Sequence, residues 1–143
     1  MELRTEILEV AISWNIGMIS AQRIDQVNIL NATYEAMHEA VAGLAVVPEF
    51  LLVDGNRFRT YPAIPNECIV KGDAKFLNIA SASILAKTYR DEIMTMLDEK
   101  YPEYGWAQNK GYPTKAHKMA IQKTGPTSFH RTSFNWKLPV NLF

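Results

Sequence analysis

Two aspartates, Asp54 and Asp91, occur in patterns that could bring carboxylates to a reactive site. Asp54 ends a run of apolar residues at 50–53, and such a run without polar alternation predicts a strand buried on both faces. Open α/β sheets bind their ligands beyond the carboxyl ends of strands of this kind. Asp54 with Gly55 is equally a turn signal, so Asp54 alone leaves a ligand site and a simple turn both open.

Asp91 belongs to an apolar stripe on a long helix predicted over residues 74–101. Residues seven apart nearly superimpose on a helix, so Leu77, Ile84 and Asp91 share one face. A carboxylate that continues an apolar stripe suggests that Asp91 faces the same site as Asp54. Alternatively, Lys87 lies one turn earlier and pairs with Asp91 as an ordinary helical ion pair.

Paired carboxylates of this kind suit phosphoryl transfer with divalent cations. Two metals ~3.5–4 Å apart can stabilise both the attacking and the leaving oxygen. Oxygen ligands favour Mg²⁺ or Mn²⁺. The single cysteine, Cys68, and three scattered histidines argue against a zinc site.

The net charge of zero hides a strong asymmetry along the chain. Residues 1–103 hold all 15 acids and nine Lys or Arg, whereas residues 104–143 hold six Lys or Arg and no acid. The second stretch, the basic segment, also carries several aromatic residues. Its charge and aromatic content predict contact with a nucleic-acid backbone, and the alternative is a solvated basic tail. Among these aromatics are Tyr104, Trp106, Tyr112, Phe129, Phe134 and Trp136.

The length and composition predict one globular domain over residues 1–143. No apolar run approaches the ~20 residues of a membrane span, so no membrane partner is expected. The N-terminus lacks a signal-peptide core, and the single Cys68 excludes an internal disulfide. A reducing, cytoplasmic location is therefore the expectation.

Hydrophobic periodicity predicts an α/β fold. Helices are expected over 2–11, 24–44, 74–101 and 114–123, and Ser20 and Thr114 are candidate caps. Strands are expected over 13–19, 50–54 and 67–70. Residues 106–113 are expected to form a loop, and the residues after 125 an extended segment.

Several separated motifs, in the same order along the chain, resemble those of ribonuclease HII, the prokaryotic type 2 ribonuclease H. The resemblance covers nearly the whole chain. The motifs are Leu-Val-Asp-Gly-Asn at 52–56, Lys-Gly-Asp-Ala at 71–74, Ser-Ala-Ser-Ile-Leu-Ala-Lys at 81–87, Arg-Asp at 90–91, Asn-Lys-Gly-Tyr-Pro-Thr at 109–114 with His117, and Gly-Pro-Thr at 125–127 with His130-Arg131.

This resemblance implies an α/β, ribonuclease H-like mixed sheet flanked by helices, with a helical C-terminal segment. It implies an endonuclease that hydrolyses RNA in RNA–DNA hybrids, or at ribonucleotides embedded in duplex DNA, and leaves 5′-phosphate ends. Asp54 and Asp91 match two of the family's four metal-binding acids, with Mg²⁺ or Mn²⁺ as the cofactor. Tyr112 matches the tyrosine that packs against the sugar at the RNA–DNA junction, where it can sense the 2′-hydroxyl. Four further residues are expected to contact phosphates: Lys87, Lys110, His117 and Arg131.

The sequence departs from the family pattern at its start. The family's other two acids are an adjacent Asp-Glu on its first strand, followed by Gly-Arg-Gly, and no such arrangement occurs here. The chain is therefore expected to be a C-terminal portion with the first strands missing, and to be inactive alone because two of four metal ligands are absent. The absent strands are also expected to leave an exposed sheet edge that favours self-association.

Two other functions remain compatible with these residues. In a non-catalytic nucleic-acid-binding module, Asp54 and Asp91 are structural and the basic segment carries the function. In a carboxylate-metal phosphotransferase that acts on small molecules, the basic segment has no evident use. Metal binding that depends on Asp54 and Asp91 separates the enzyme from the binding module, and tight, salt-sensitive duplex binding argues against the phosphotransferase.

Overall fold

The structure is a computed structural model that describes residues 2–134, so Trp136 and Lys137 of the basic segment lie outside the described residues. Within this range no helix is long and apolar enough to cross a membrane. Short 3₁₀ turns at Gly72–Ala74 and Pro102–Tyr104 accompany the regular elements. In chain order these are α1 (Glu2–Val10), α2 (Ala21–Ala42), β1 (Leu51–Asp54), β2 (Asn66–Ile69), α3 (Leu77–Lys100), α4 (Trp106–Asn109) and α5 (Lys115–Thr124).

The two strands form a parallel pair, which confirms the strands expected over 50–54 and 67–70. The register runs from Leu51 opposite Asn66 to Asp54 opposite Ile69. Val53 is the buried residue of β1, whereas its two leucines are only half-buried and Asp54 is exposed. Asp54 therefore lies at the carboxyl edge of the described sheet, as predicted.

The strand expected over residues 13–19 is wrong. This segment instead runs beside α2 and bonds to it through side chains. Asn15 Nδ2 donates to the carbonyl oxygens of Glu39 and Ala40 at 3.1 and 3.3 Å, and the Met18 amide donates to Glu39 Oε2 at 3.2 Å. A Cβ on Gly17 would lie 1.8 Å from the Ala36 carbonyl oxygen, so only glycine permits this approach. The alternation therefore does not mark a buried apolar face, because Trp14 and Met18 are 47% and 59% exposed and the intervening Asn15 and Gly17 lie against α2.

The long helices are confirmed at close to their expected bounds. Ser20 Oγ accepts a 3.1 Å hydrogen bond from the Arg23 amide, so Ser20 begins α2 as a cap. The helix is interrupted at Asn28, whose backbone is non-helical with φ 67° and ψ 166°. Asn28 Oδ1 accepts from the amide of Asn31 at 3.1 Å, which satisfies a donor that the break exposes.

The region after α3 contains more structure than the expected loop. Residues 106–109 form the single turn α4 because Gly105 and Lys110, both with positive φ, bracket it. Residues 128–134 form turns and not an extended segment. The Tyr104 hydroxyl fixes the start of this stretch by donating a 2.6 Å hydrogen bond to the Gly125 carbonyl oxygen.

Cα packing divides the chain into two compact units. The first unit comprises residues up to 19 and residues 27–88, and its buried apolar residues include Val53, Ile64 and Ile79. The second unit comprises residues 20–26 and the chain from 89 onward. Its core is formed by Tyr104, Trp106 and Ile121, which are 3–4% exposed.

Candidate nucleic-acid and metal site

The carboxylate of Asp54 is held by the turn that follows β2. The Gly72 amide donates a 2.8 Å hydrogen bond to Asp54 Oδ1, and the Gly55 amide donates to the Ile69 carbonyl oxygen at 3.0 Å. A Cβ on Gly72 would lie 2.6 Å from Ile79 Cδ1 and 3.5 Å from Asp54 Oδ1. A side chain at position 72 would therefore force the terminal methyl group of Ile79 to move and would lie against the carboxylate of Asp54.

Asp91 lies half-buried on α3 beside Arg90. Nε and Nη2 of Arg90 donate to Asp91 Oδ1 at 3.0 and 2.8 Å, and this carboxylate raises the pKa of Arg90 above its usual value. Oδ2 of Asp91 accepts no hydrogen bond from the described residues and stays available to a ligand. Arg90 is the cation that bonds to Asp91, so the alternative of a Lys87–Asp91 ion pair is wrong, and Lys87 is exposed. Leu77 is 81% exposed, so the apolar stripe is not buried at its beginning.

Tyr112 is an exposed aromatic residue that the same arginine contacts. Its side chain is 59% exposed, yet Nη1 of Arg90 donates to its hydroxyl at 3.1 Å. Cζ of Arg90 also lies 5.4 Å from the centre of the tyrosine ring. The structure therefore brings Asp91 and Tyr112 together through one guanidinium group.

The backbone of the turn before Tyr112 is fixed by Asn109. Lys110 and Gly111 both have positive φ, at 51° and 81°. Oδ1 of Asn109 accepts from the Gly111 amide at 2.8 Å, and its carbonyl oxygen accepts from the Tyr112 amide at 2.8 Å. Nδ2 of Asn109 donates to the Tyr104 carbonyl oxygen at 2.7 Å, which ties the turn to the core of the second unit.

The side chain of His117 contacts the residues that hold this turn in place. Thr114 caps α5, as predicted, because its Oγ1 accepts a 3.2 Å hydrogen bond from the His117 amide. The imidazole is only 6% exposed, and its Nδ1 lies 3.1 Å from the Tyr104 carbonyl oxygen and 3.2 Å from Asn109 Nδ2. Such burial leaves the ring little access to a phosphate.

A stack of rings extends this core from His117 to His130. The two imidazoles lie 5.3 Å apart and nearly parallel, and Tyr104 and Trp106 pack beside them. Burial lowers the pKa of His130, and His117 contributes in the same direction. Burial also raises the pKa of Tyr104.

The remaining candidate phosphate contacts in the second unit are Lys110 and Arg131. Lys110 Nζ donates to Thr95 Oγ1 at 3.3 Å, and the guanidinium of Arg131 lies 4.4 Å from the ring centre of Phe134. Both side chains are half-buried. Asp54 and Lys87 belong to the first unit, whereas Asp91, Lys110, Tyr112, His117 and Arg131 belong to the second.

Asp25 is a structural anchor that the sequence did not reveal as such. Its Oδ2 accepts from the amide and hydroxyl of Thr132 at 2.7 Å each, and its Oδ1 accepts from the amide and hydroxyl of Ser133 at 2.9 and 2.5 Å. Hydrogen bonds from Ser133 and Thr132 hold the pKa of Asp25 far below its usual range. Because 107 residues separate Asp25 from Thr132, no local pattern predicts the contact.

Two other residues, Arg90 and Asn109, were not predicted from the sequence as site residues. Each is the chain neighbour of a predicted site residue, since Arg90 precedes Asp91 and Asn109 precedes Lys110.

The donor chemistry of Asp54 and Asp91 suits a hard divalent cation. Each has one oxygen held by a protein donor, and carboxylate oxygens are the ligands that Mg²⁺ and Mn²⁺ prefer. Residues 2–134 contain no group of three or more His, Cys, Asp or Glu side chains that could hold a metal ion. Each carboxylate by itself thus fits such a cation in kind.

The family model described as "Ribonuclease HII" matches residues 2–137. The chain belongs to the ribonuclease HII family. The ribonuclease HII of Bacteroides thetaiotaomicron is 54% identical over 133 residues, covering 93% of this chain and 66% of the relative. That of Parabacteroides distasonis is 54% identical over 141 residues, covering 99% of this chain and 70% of the relative. The chain thus spans about two thirds of the length of these family members.

A solved structure supports the fold. The crystal structure of the ribonuclease H2 from Pyrococcus horikoshii OT3 superimposes with a TM-score of 0.78 at 19% identity, covering 94% of this chain and 71% of that one. At this identity the match bears on the fold and not on the chemistry. It confirms the α/β, ribonuclease H-like architecture predicted from the motifs.

Proposed function

We propose that this chain carries the substrate-binding part, and part of the metal site, of an endonuclease that cleaves RNA within RNA–DNA hybrids or at ribonucleotides embedded in duplex DNA. The observation that carries the proposal is the linkage of Asp91 to Tyr112 through Arg90. It joins a carboxylate suited to a metal and an exposed ring suited to a sugar within one rigid arrangement. The product ends would be 5′-phosphate and 3′-hydroxyl.

Asp54 and Asp91 would hold Mg²⁺ or Mn²⁺ through their oxygens. Two bound divalent cations supply charge stabilisation for both the attacking and the leaving oxygen of phosphoryl transfer. The protein's own part is to hold the carboxylates. Gly72 restrains Asp54 and Arg90 restrains Asp91, each through Oδ1.

The ring of Tyr112 would pack against the sugar at the junction, where only the 2′-hydroxyl distinguishes RNA from DNA. Lys87, Lys110 and Arg131 would contact phosphates, with an affinity that falls as salt rises. His117 is better placed to support the turn at 110–112 than to contact a phosphate, because it is buried. The cytoplasmic location expected from Cys68 belongs to the same proposal.

We also propose that residues 1–143 do not cleave by themselves. Two carboxylates undersupply the charge and geometry of a two-cation site, and no larger group of metal-binding side chains lies within residues 2–134. The same observation favours the second candidate function, a non-catalytic nucleic-acid-binding module. In that module, Asp54→Asn would leave Mn²⁺ affinity unchanged.

The test uses a duplex DNA with one ribonucleotide, Mg²⁺ or Mn²⁺, and two proteins. One is the chain itself, and the other is a chimaera in which it replaces the matched 133 residues of the Bacteroides thetaiotaomicron ribonuclease HII. We expect the chimaera to cut on the 5′ side of the ribonucleotide and the chain alone to leave the duplex intact. A properly folded chimaera that binds the duplex without cutting it would favour the binding module. Cutting by the chain alone would overturn the expectation of inactivity.

Self-association is a further part of the proposal. Each strand of the described sheet has one partner, and apolar side chains nearby are exposed, with Phe50 at 49% and Val70 at 57%. We propose that a second copy of the chain pairs with the free edge of β2, which ends next to Val70. Sedimentation should show a concentration-dependent dimer that Val70→Lys disrupts, and a monomer at every concentration would contradict the idea.

A further inference from the structure

Arg90 makes two different sets of contacts with one planar group. Nε and Nη2 bond to Asp91 Oδ1, while Nη1 bonds to the Tyr112 hydroxyl at 3.1 Å. The guanidinium also lies 5.4 Å from the centre of the Tyr112 ring. Asp91 therefore fixes the position of the guanidinium group, and the guanidinium group in turn restrains the side chain of Tyr112.

Tyr112 would otherwise be free to change rotamer. A side chain that is 59% exposed has few packing contacts to hold its ring. The hydrogen bonds of Asn109 fix the backbone of the turn but not the side chain of Tyr112. Among the described contacts, those of Arg90 are the ones that restrain the tyrosine ring.

Resting on the function proposed above, we infer that Arg90 is a positioning residue that sets the orientation of the Tyr112 ring and thereby the preference for a ribonucleotide over a deoxyribonucleotide. The hydroxyl of Tyr112 is engaged by Arg90, so the ring face is what remains for the sugar. A ring held in one orientation can distinguish a sugar with a 2′-hydroxyl from one without it. A ring that samples several orientations binds both with similar affinity.

The geometry requires arginine and not merely a positive charge. The planar fork of a guanidinium reaches two acceptors in fixed directions, whereas the ammonium of lysine is a point charge on a flexible stem. Arg90→Lys can keep a contact with Asp91 but is expected to release Tyr112. Tyr112→Phe keeps the ring and removes only the hydroxyl that Arg90 holds.

The experiment measures binding without cleavage. Two duplexes, identical except that one carries a single ribonucleotide, are titrated with the chain in EDTA, and the ratio of their Kd values gives the preference. We expect the unsubstituted protein to prefer the ribonucleotide duplex. Arg90→Lys and Tyr112→Phe should each reduce the ratio roughly three- to tenfold, and the double variant should reduce it no further. The control Lys100→Gln, an exposed basic residue on α3 that lies outside the basic segment, should leave the ratio unchanged.

A second readout needs no substrate. With 3-fluorotyrosine placed at position 112, the ¹⁹F resonance should shift and sharpen when Arg90→Lys frees the ring. If the unsubstituted protein prefers the ribonucleotide duplex and both variants keep that ratio, Arg90 does not position Tyr112. Losses that simply multiply in the double variant would also overturn the inference. If the unsubstituted protein shows no preference, the proposed function itself fails, which is a distinguishable result.

Discussion

The amide of Gly72 donates a 2.8 Å hydrogen bond to the carboxylate of Asp54, across 18 residues of sequence. The glycine sits in the turn after β2, and Asp54 ends β1. The parallel pairing of the two strands brings the turn and the carboxylate to the same edge. The Lys-Gly-Asp motif therefore contributes to the site through a backbone amide and through the space that glycine leaves.

Gly72→Ala should destabilise the protein and loosen Asp54. The new Cβ would lie 2.6 Å from Ile79 Cδ1, and overpacking of this kind costs about 1–3 kcal/mol. Urea unfolding measures the loss. Ile79→Val in the same background removes the clashing carbon atom and should restore most of the stability. If the double variant is no more stable than Gly72→Ala, the steric explanation is wrong.

Thr114→Ala should weaken α5 and the turn that precedes it. Thr114 Oγ1 accepts the His117 amide at 3.2 Å, and removing a cap of this type typically costs about 1 kcal/mol. Thr114→Ser retains the hydroxyl and serves as the matched control. Equal unfolding midpoints for the alanine and serine variants would show that the cap adds nothing measurable.

Asp25→Asn should lower stability at neutral pH, and the difference from the unsubstituted protein should shrink in acid. The folded pKa of Asp25 is depressed by hydrogen bonds from Ser133 and Thr132, so its contribution is fully present well above the ordinary value of 3.8. It is lost progressively as the pH falls below that value toward the folded pKa. Urea unfolding from pH 7 to pH 3 measures both proteins. A difference that stays constant over this range would contradict the assignment.

The buried His130 should make the second unit sensitive to mild acid. Burial lowers the folded pKa of His130 below its ordinary value of 6.5, so the unfolded chain takes up its proton first. Stability is then full above pH 6.5 and falls as the pH drops through that value, by at most ~1.4 kcal/mol per pH unit for one proton. His130→Gln should flatten the dependence between pH 7.5 and 5.5. An unchanged slope would place the titrating group elsewhere.

The sequence predicted best where one local pattern decides the structure. The apolar run before Asp54 formed β1, and the Thr114 cap began α5. The alternation at residues 13–19 misled because Trp14 and Met18 are exposed, while Asn15 and Gly17 hold the segment to α2. The contact of Asn15 with the backbone of α2 spans 24 residues, so no local pattern reveals it.

The candidate site was predicted in its residue types but not in its connections. The motifs pointed to Asp91 and Tyr112, yet Arg90, which joins them, was identified only as part of the Arg-Asp motif, and the one ion pair considered for Asp91 was the alternative with Lys87. Helical spacing favours a partner four residues away, whereas the guanidinium of Arg90 reaches the adjacent carboxylate by folding along the helix surface. The burial of His117 depends on the stacked rings of the core, which no spacing in the sequence reveals.

The most direct test of this account is the dependence of cleavage on the two aspartates. Asp54→Asn and Asp91→Asn, each placed in the chimaera with the Bacteroides thetaiotaomicron relative, are compared on a duplex with one ribonucleotide. Each should reduce the cleavage rate on the order of a hundredfold or more, as removal of a stabilising group at a reaction site typically does. The controls Glu67→Gln and Glu99→Gln, two exposed acids on β2 and α3, should leave the rate unchanged. If either aspartate variant cleaves as fast as its control, that carboxylate does not hold the metal and the account is wrong.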